Sequence, residues 1–227
     1  MTSTLTGPRI APKSGVAKQL VVFLHGYGAD GKDLIEVGRQ WQKLLPDAAF
    51  VSPNAPEPCA QSPMGKQWFG LTNRDPDERW IGAQKAAPLL NAFLDEELKA
   101  ANLPDSALAL VGFSQGSMMA LHVGPRRAHA PAAILAFSGV LVGPEHLGEA
   151  KARSPKGEPP PILLIHGEAD ETIPVEAMFQ SAEDLGGAGI PAQWHLSRGV
   201  GHGIDGGGLT HGGMFLAHAF GVKPPTR

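Results

Sequence analysis

The chain has 227 residues, with 19 Lys and Arg against 22 Asp and Glu, a net charge of −3, and one cysteine, Cys59. A lone cysteine excludes a disulfide framework and a cysteine-based zinc site and fits a reducing compartment, while a chain this long buries about 70% of its extended surface and needs no such staple. The near-neutral charge, with no basic run longer than Arg126-Arg127, argues against nucleic acid or a polybasic membrane contact as partner.

In chain order, Met1 to Lys18 has no charged region followed by a hydrophobic stretch, and the first apolar run, Leu20 to Leu24, is too short for a signal peptide or a membrane span. The expectation is a cytoplasmic protein without integral membrane association. Leu20 to Leu24 ends at His25-Gly26 and reads as a strand buried on both faces. Asp33 to Leu45 carries Leu34, Val37, Trp41, Leu44 and Leu45 at helical spacing. Ala49 to Val51 is a second short strand stopped by Ser52-Pro53, and Asn54 to Arg79, which holds Pro56, Pro58, Pro63 and Pro76 and has little periodicity, is read as irregular. Trp80 to Ala101 is helical, with Pro88 expected to kink or restart it. Ala107 to Phe113 is a strand, Gln115 to Val123 a helix, and Ala132 to Phe137 and Pro161 to Ile165 two further strands. Val175 to Leu185 is a helix closed by Gly186-Gly187, Ala192 to Leu196 a weak strand, and Met214 to Phe220 the last helix.

Continuous apolar strands alternating with helices indicate an α/β protein with a mostly parallel sheet covered on both faces. No linker divides the chain, so residues 1–227 are read as one domain with 1–18 and 222–227 as peripheral ends, and the tail with Pro224-Pro225 is expected to fray. The stretch Val140 to Pro160 is too short for a separate lid domain.

Gly112-Phe113-Ser114-Gln115-Gly116 matches G-x-S-x-G. In a glycine-rich chain the pattern arises readily by chance. Its position, directly after a strand and directly before a helix, makes it specific, because such a turn strains the serine backbone and presents its hydroxyl at the carboxyl end of the sheet. The competing role for Ser114 is a helix cap.

A serine hydroxyl needs a base, and the base needs a partner that holds its tautomer. The loop after Ile162 to Ile165 offers Glu168, Asp170 and Glu171, of which Asp170 is preferred on spacing. The loop Gly199-Val200-Gly201-His202-Gly203 offers His202, and the order Ser114, Asp170, His202 suits this architecture. His25 and His166, each before a glycine at a strand end, read as packing or backbone-bonding residues. No histidine spacing indicates a metal site.

Gly26-Tyr27-Gly28-Ala29-Asp30-Gly31 satisfies the dinucleotide pattern G-x-G-x-x-G, but no acid stands at Val51 to Asn54 to hold a ribose. The alternative is that this loop lies beside Ser114 and that the backbone N–H groups of Leu24 and Gln115 form an oxyanion hole.

Leu24-His25-Gly26-Tyr27-Gly28, Gly112 to Gly116, His166-Gly167-Glu168-Ala169-Asp170 with Ile173-Pro174, and Gly201-His202 together resemble the phospholipase/carboxylesterase family of α/β-hydrolases, which includes bacterial carboxylesterases and acyl-protein thioesterases. The resemblance spans roughly Lys18 to Phe220. It implies the α/β-hydrolase fold, Ser114, Asp170 and His202 as a triad, and Leu24 and Gln115 as oxyanion donors, and it selects Asp170 over its neighbours. It also implies that Trp68-Phe69 lies near an acyl pocket as substrate-binding residues, although Gly70 stands where the family commonly has aspartate; covering the core is their other reading. Homodimers occur in the family, but no helix here shows a surplus apolar face.

The expected function is a serine esterase acting on small to medium carboxylic esters through an acyl-enzyme, with no cofactor or metal required. A thioesterase or lysophospholipase would use the same residues. Outside that class stand a non-catalytic ligand-binding module on a hydrolase scaffold and a dinucleotide enzyme.

Overall fold

A computed structural model describes residues 5–73 and 75–222. In chain order the elements are β1 (Arg9–Ile10), β2 (Gln19–Leu24), α1 (Gly31–Trp41), β3 (Ala48–Val51), β4 (Glu57–Cys59), β5 (Ser62–Gln67), α2 (Pro76–Ala101), β6 (Leu108–Phe113), α3 (Gln115–Val123), β7 (Ala133–Phe137), β8 (Ile162–Gly167), α4 (Glu176–Gly187), β9 (Ala192–Ser197) and α5 (Gly206–Ala219). Seven strands form one sheet in the order β1-β3-β2-β6-β7-β8-β9. All its neighbours run parallel except β1, which pairs antiparallel with β3 through Arg9 and Val51.

The continuous apolar strands follow from burial on both faces. In β2, Leu20, Val22 and Leu24 join one core with residues of α2, α3 and α4, while Val21 and Phe23 join a second core with α1 and α5. Alternate side chains thus leave opposite faces, and both faces are dry.

Several expectations change. The first eighteen residues are not all peripheral: Leu5 is buried in the core and Ile10 extends the sheet. The tail beyond Val222, expected to fray, lies outside the described residues. Within the stretch read as irregular, β4 and β5 form an antiparallel hairpin that Pro58 and Pro63 do not prevent, because the pair is a two-stranded ribbon with open edges.

Helix α2 begins earlier than expected, at Pro76, with the Asp75 carboxylate accepting from Glu78 N, and it passes through Pro88 as one element. Pro88 is exposed, as is Gln84, whose carbonyl loses its donor, so water reaches the orphan. Ala83, Ala86, Leu90, Phe93, Leu94 and Leu98 hold the other face in the core.

Helix α4 likewise runs through Gly187, and the left-handed turn falls at Gly189, with φ +74°. Helix α5 starts eight residues before the expected Met214, through Gly206-Gly207-Gly208 and Gly212-Gly213. Glycine disfavours a helix, but a Cβ at Gly212 would lie 2.7 Å from Leu135 and one at Gly213 2.8 Å from Trp41, so close packing against the sheet and α1 requires it.

The Val140 to Pro160 stretch is packed down rather than raised as a lid. Leu141, Val142, Leu147 and Ala150 are buried, and His146 stacks on Trp80 at 4.0 Å. Among the described residues no helix is long and apolar enough to cross a membrane.

Candidate active site

Ser114 occupies the turn between β6 and α3 with φ 53° and ψ −116°, a strained conformation for a residue with a Cβ. The flanking glycines make the turn feasible. A Cβ at Gly116 would collide with the Leu24 carbonyl, and one at Gly112 with the backbone of Gly116. Ser114 stands at the N-cap position, yet its side chain makes no cap hydrogen bond. Its Oγ lies instead 3.0 Å from His202 Nε2.

His202 comes from the glycine loop between β9 and α5. Gly167 lets that loop cross the end of β8, since a Cβ there would strike the carbonyls of Val200 and Gly201. Ala169 N–H donates to Val200 O at 2.9 Å, and Asp205 caps α5 from the other side, accepting from Gly208 N and Ser197 Oγ. The Phe113 ring rests against the imidazole, centroids 5.0 Å apart.

His202 Nδ1 is 2.7 Å from Asp170 Oδ2, completing a line from carboxylate to imidazole to hydroxyl. The other oxygen, Oδ1, accepts the backbone N–H groups of Thr172 and Ile173, each at 2.9 Å. Burial pushes the Asp170 carboxyl up, but the Ile173 N–H, the His202 imidazole and the Thr172 N–H together outweigh it and hold the group below its ordinary value. A carboxylate that stays ionised keeps the imidazole oriented with Nε2 toward the serine.

The rival acids fall elsewhere. Glu168 is exposed and accepts from Gly199 N at 3.1 Å, bracing the histidine loop, while Glu171 is exposed and makes no bond to His202. His166 is buried; its Nε2 lies 2.8 Å from Ile173 O and 3.2 Å from Asp170 Oδ2, so it supports the turn that presents the carboxylate. His25 is buried too, with Nδ1 toward Gly26 O and Nε2 accepting from Ala55 N, and burial holds its pKa down. Among the described residues no group of three or more His, Cys, Asp or Glu side chains gathers as a metal site would.

Ser114 and His202 open onto a cavity of about 240 Å³ whose other walls are Tyr27, Leu71, Arg79, Met118, Thr172 and Ile173. A family profile described as phospholipase/carboxylesterase matches residues 5–219. This chain belongs to the phospholipase/carboxylesterase family. It is 30% identical to esterase YpfH of Escherichia coli over 190 residues, covering 83% of this chain and 78% of that protein. It is 25% identical to acyl-protein thioesterase 1 of Gibberella zeae, covering 89% of this chain and 91% of that one. The crystal structure of esterase PE8 superimposes with a TM-score of 0.89 at 43% identity, over 95% of this chain and 99% of the other. The fold is that of the α/β-hydrolases.

Within this family member some of the expected site residues stand back from the cavity. Leu24 lies inside β2, fully buried and in register with Gly112, and does not line the cavity. The residue that reaches the cavity from the loop after β2 is Tyr27, three positions on, because the chain must leave the sheet before it can turn over the nucleophile. Trp68 and Phe69 are 1% and 2% exposed and belong to the core, so they do not line the cavity either.

Their part is to brace the site. Gln115, fully buried, accepts Trp68 N–H at 2.9 Å and donates to Phe69 O at 2.7 Å, while the Trp68 indole donates to His25 O at 3.0 Å. These bonds anchor the loop that Gly70 left in question. As the first residue of α3, Gln115 also carries a backbone N–H with no helical carbonyl four residues back to receive it.

The dinucleotide pattern is a structural coincidence. Gly26 lets the loop pass beside the nucleophile: a Cβ there would sit 3.3 Å from Ser114 Cβ. The start of α1 is filled by protein acceptors, with Gly31 N bonded to Asn54 and Lys32 N to Asp30. Sequence reasoning missed Leu71, Arg79, Met118 and Thr172. Met118 follows Ser114 by one helical turn and Thr172 lies two residues after Asp170, so local spacing could have found those two, but nothing local in the segments of Leu71 and Arg79 places them beside Ser114.

Proposed function

We propose that the protein is a serine carboxylesterase that hydrolyses small to medium carboxylic esters through an acyl-enzyme. The reading rests on one observation above the rest: the line of hydrogen bonds from Asp170 through His202 to Ser114 Oγ, ending at the wall of a cavity. His202 Nε2 takes the Ser114 proton as Oγ bonds to the ester carbonyl carbon. The negative oxygen of the tetrahedral intermediate is held by the backbone N–H of Gln115, reinforced by the N-terminus of α3, and by that of Tyr27 from the facing loop. The bond to the alcohol oxygen breaks, the alcohol leaves with the proton from His202, and the acyl group stays on Ser114. Water then gives a proton to His202 and attacks the acyl carbon, and collapse releases the acid and returns the proton to Oγ. Asp170 orients the imidazole and stabilises its charged form.

The modest cavity and the packed-down Val140 to Pro160 stretch support short-to-medium acyl chains over long triglycerides. The reading extends to a single-domain cytoplasmic enzyme. Acyl-protein thioesterase or lysophospholipase activity is the second reading, favoured by the match to the Gibberella zeae protein, and it uses the same three side chains. A fluorophosphonate probe tests both together. The native chain should be labelled at Ser114 and Ser114→Ala should not; an unlabelled native chain would make it an inert scaffold. Comparing kcat/KM over an acyl-chain ladder with a matched thioester then separates the two readings.

A further inference from the structure

The cavity wall is apolar or neutral except at one point. Leu71, Met118 and Ile173 supply hydrocarbon, Tyr27 and Thr172 supply neutral polar groups, and among the described residues Arg79 is the one wall residue that carries a fixed charge. Its guanidinium has no carboxylate partner among the described residues, a state it shares with Arg153 and Arg198, whereas Arg9, Arg39, Arg126 and Arg127 each hold one. Of the acids closest to it in sequence, Asp77 is exposed and makes no ion pair with it, and the other two are committed elsewhere. Asp75 caps Glu78 N, and the Glu78 carboxylate accepts the N–H groups of Thr72 and Asn73.

Helix stability does not explain the position. Arg79 lies in the opening turn of α2, with its N–H bonded to Asp75 O, where the helix dipole favours acids such as Asp77 and Glu78 and disfavours a cation. The residue is half-buried, so a charge-assisted bond made there is screened less than one on the open surface. A guanidinium presents a planar fork of donors that matches a carboxylate or phosphate, and an apolar wall around it strengthens such a pairing.

We propose that Arg79 is a specificity residue and that the preferred substrates are esters bearing a second, negatively charged group, a carboxylate or phosphate, on the part of the molecule that lies in the cavity. The proposal rests on the esterase reading above and narrows it. The anion pairs with Arg79 while Ser114 attacks the ester, so the site discriminates a hemiester from a neutral ester of equal length.

The test is a ratio. For the carboxylate arm, kcat/KM is measured on the p-nitrophenyl monoester of glutaric acid and on p-nitrophenyl hexanoate. For the phosphate arm, butyrylglycerol phosphate is set against monobutyrin. The native chain should favour the anionic member of at least one pair, and the arm that shows it identifies the group. Arg79→Gln should lower that ratio about ten-fold or more, the loss of one charge-assisted bond, while Arg79→Lys should retain part of it. Added salt should erode the native preference and leave the variant's ratio flat. Hydrolysis of the neutral ester by Arg79→Gln reports a folded, working site. No anionic preference in the native chain, or an unchanged ratio in Arg79→Gln, overturns the proposal. Failure of the native chain on all four esters sinks the esterase reading beneath it, a result distinct from either.

Discussion

In the proposed mechanism Ser114, His202 and Asp170 act as a unit, so removing one should remove most of what the three achieve together. Ser114→Ala should lower kcat by about 10⁶, as in other serine hydrolases, and Asp170→Asn by about 10⁴, because the amide selects the wrong imidazole tautomer. The two imidazoles near Asp170 should separate cleanly. His202 touches Ser114 Oγ, whereas His166 touches only the Asp170 turn. His202→Ala should match the serine variant in p-nitrophenyl ester turnover, while His166→Ala should chiefly lower the unfolding midpoint; the reverse ranking would mean that His166 is the base. At this scale the sequence was informative for residues with distinctive chemistry at distinctive turns. Leu24 and Tyr27 were not separable that way, since which N–H of a loop faces a cavity depends on where the chain leaves the sheet.

At the scale of elements, the β6-turn-α3 unit depends on the absence of two side chains. Gly116→Ala would drive a methyl into the Leu24 carbonyl, a backbone atom that cannot give way, so it should destabilise by about 3 kcal/mol or more in urea unfolding. Gln115→Met tests the brace between the nucleophile turn and the Trp68-Phe69 loop. It leaves a buried N–H and a buried carbonyl without partners, each worth about 1–3 kcal/mol, and should reduce stability and kcat/KM together. A variant as stable as the native chain would mean that the loop holds itself. The elements that sequence periodicity identified were those with strong apolar patterns. It lost the first part of α5, whose glycines are chosen by the approach of Trp41 and Leu135, and the first turn of α2, which has a cap but no apolar stripe.

Across the whole molecule, the packing of the Val140 to Pro160 stretch onto α2 and α3 carries a pH signature. His122 sits against Trp80 and beside Arg126, with its Nδ1 lacking a partner among the described residues. Burial first, and then the Arg126 charge, depress its pKa from 6.5 to about 4, with Glu149 opposing. Between those values the unfolded chain takes a proton that the folded chain refuses. The stability due to the neutral imidazole is therefore complete above pH 6.5 and is lost as pH falls toward 4. His122→Leu should flatten the dependence of the unfolding midpoint on pH in that window, and by removing a buried unpaired nitrogen should leave stability at pH 7 equal or higher. An unaltered slope would assign the proton uptake to other groups, such as His25.

Sequence alone determined the α/β class and pointed to the side chains of the proposed chemistry, because burial on both faces writes itself as unbroken apolar runs and a nucleophile turn needs small residues at fixed spacing. Only the folded chain decided which side chains line the cavity. Tyr27, Leu71, Arg79 and Ile173 belong to four separate segments. Their meeting is set by how helices and loops settle on the sheet, a long-range packing outcome that no local pattern encodes.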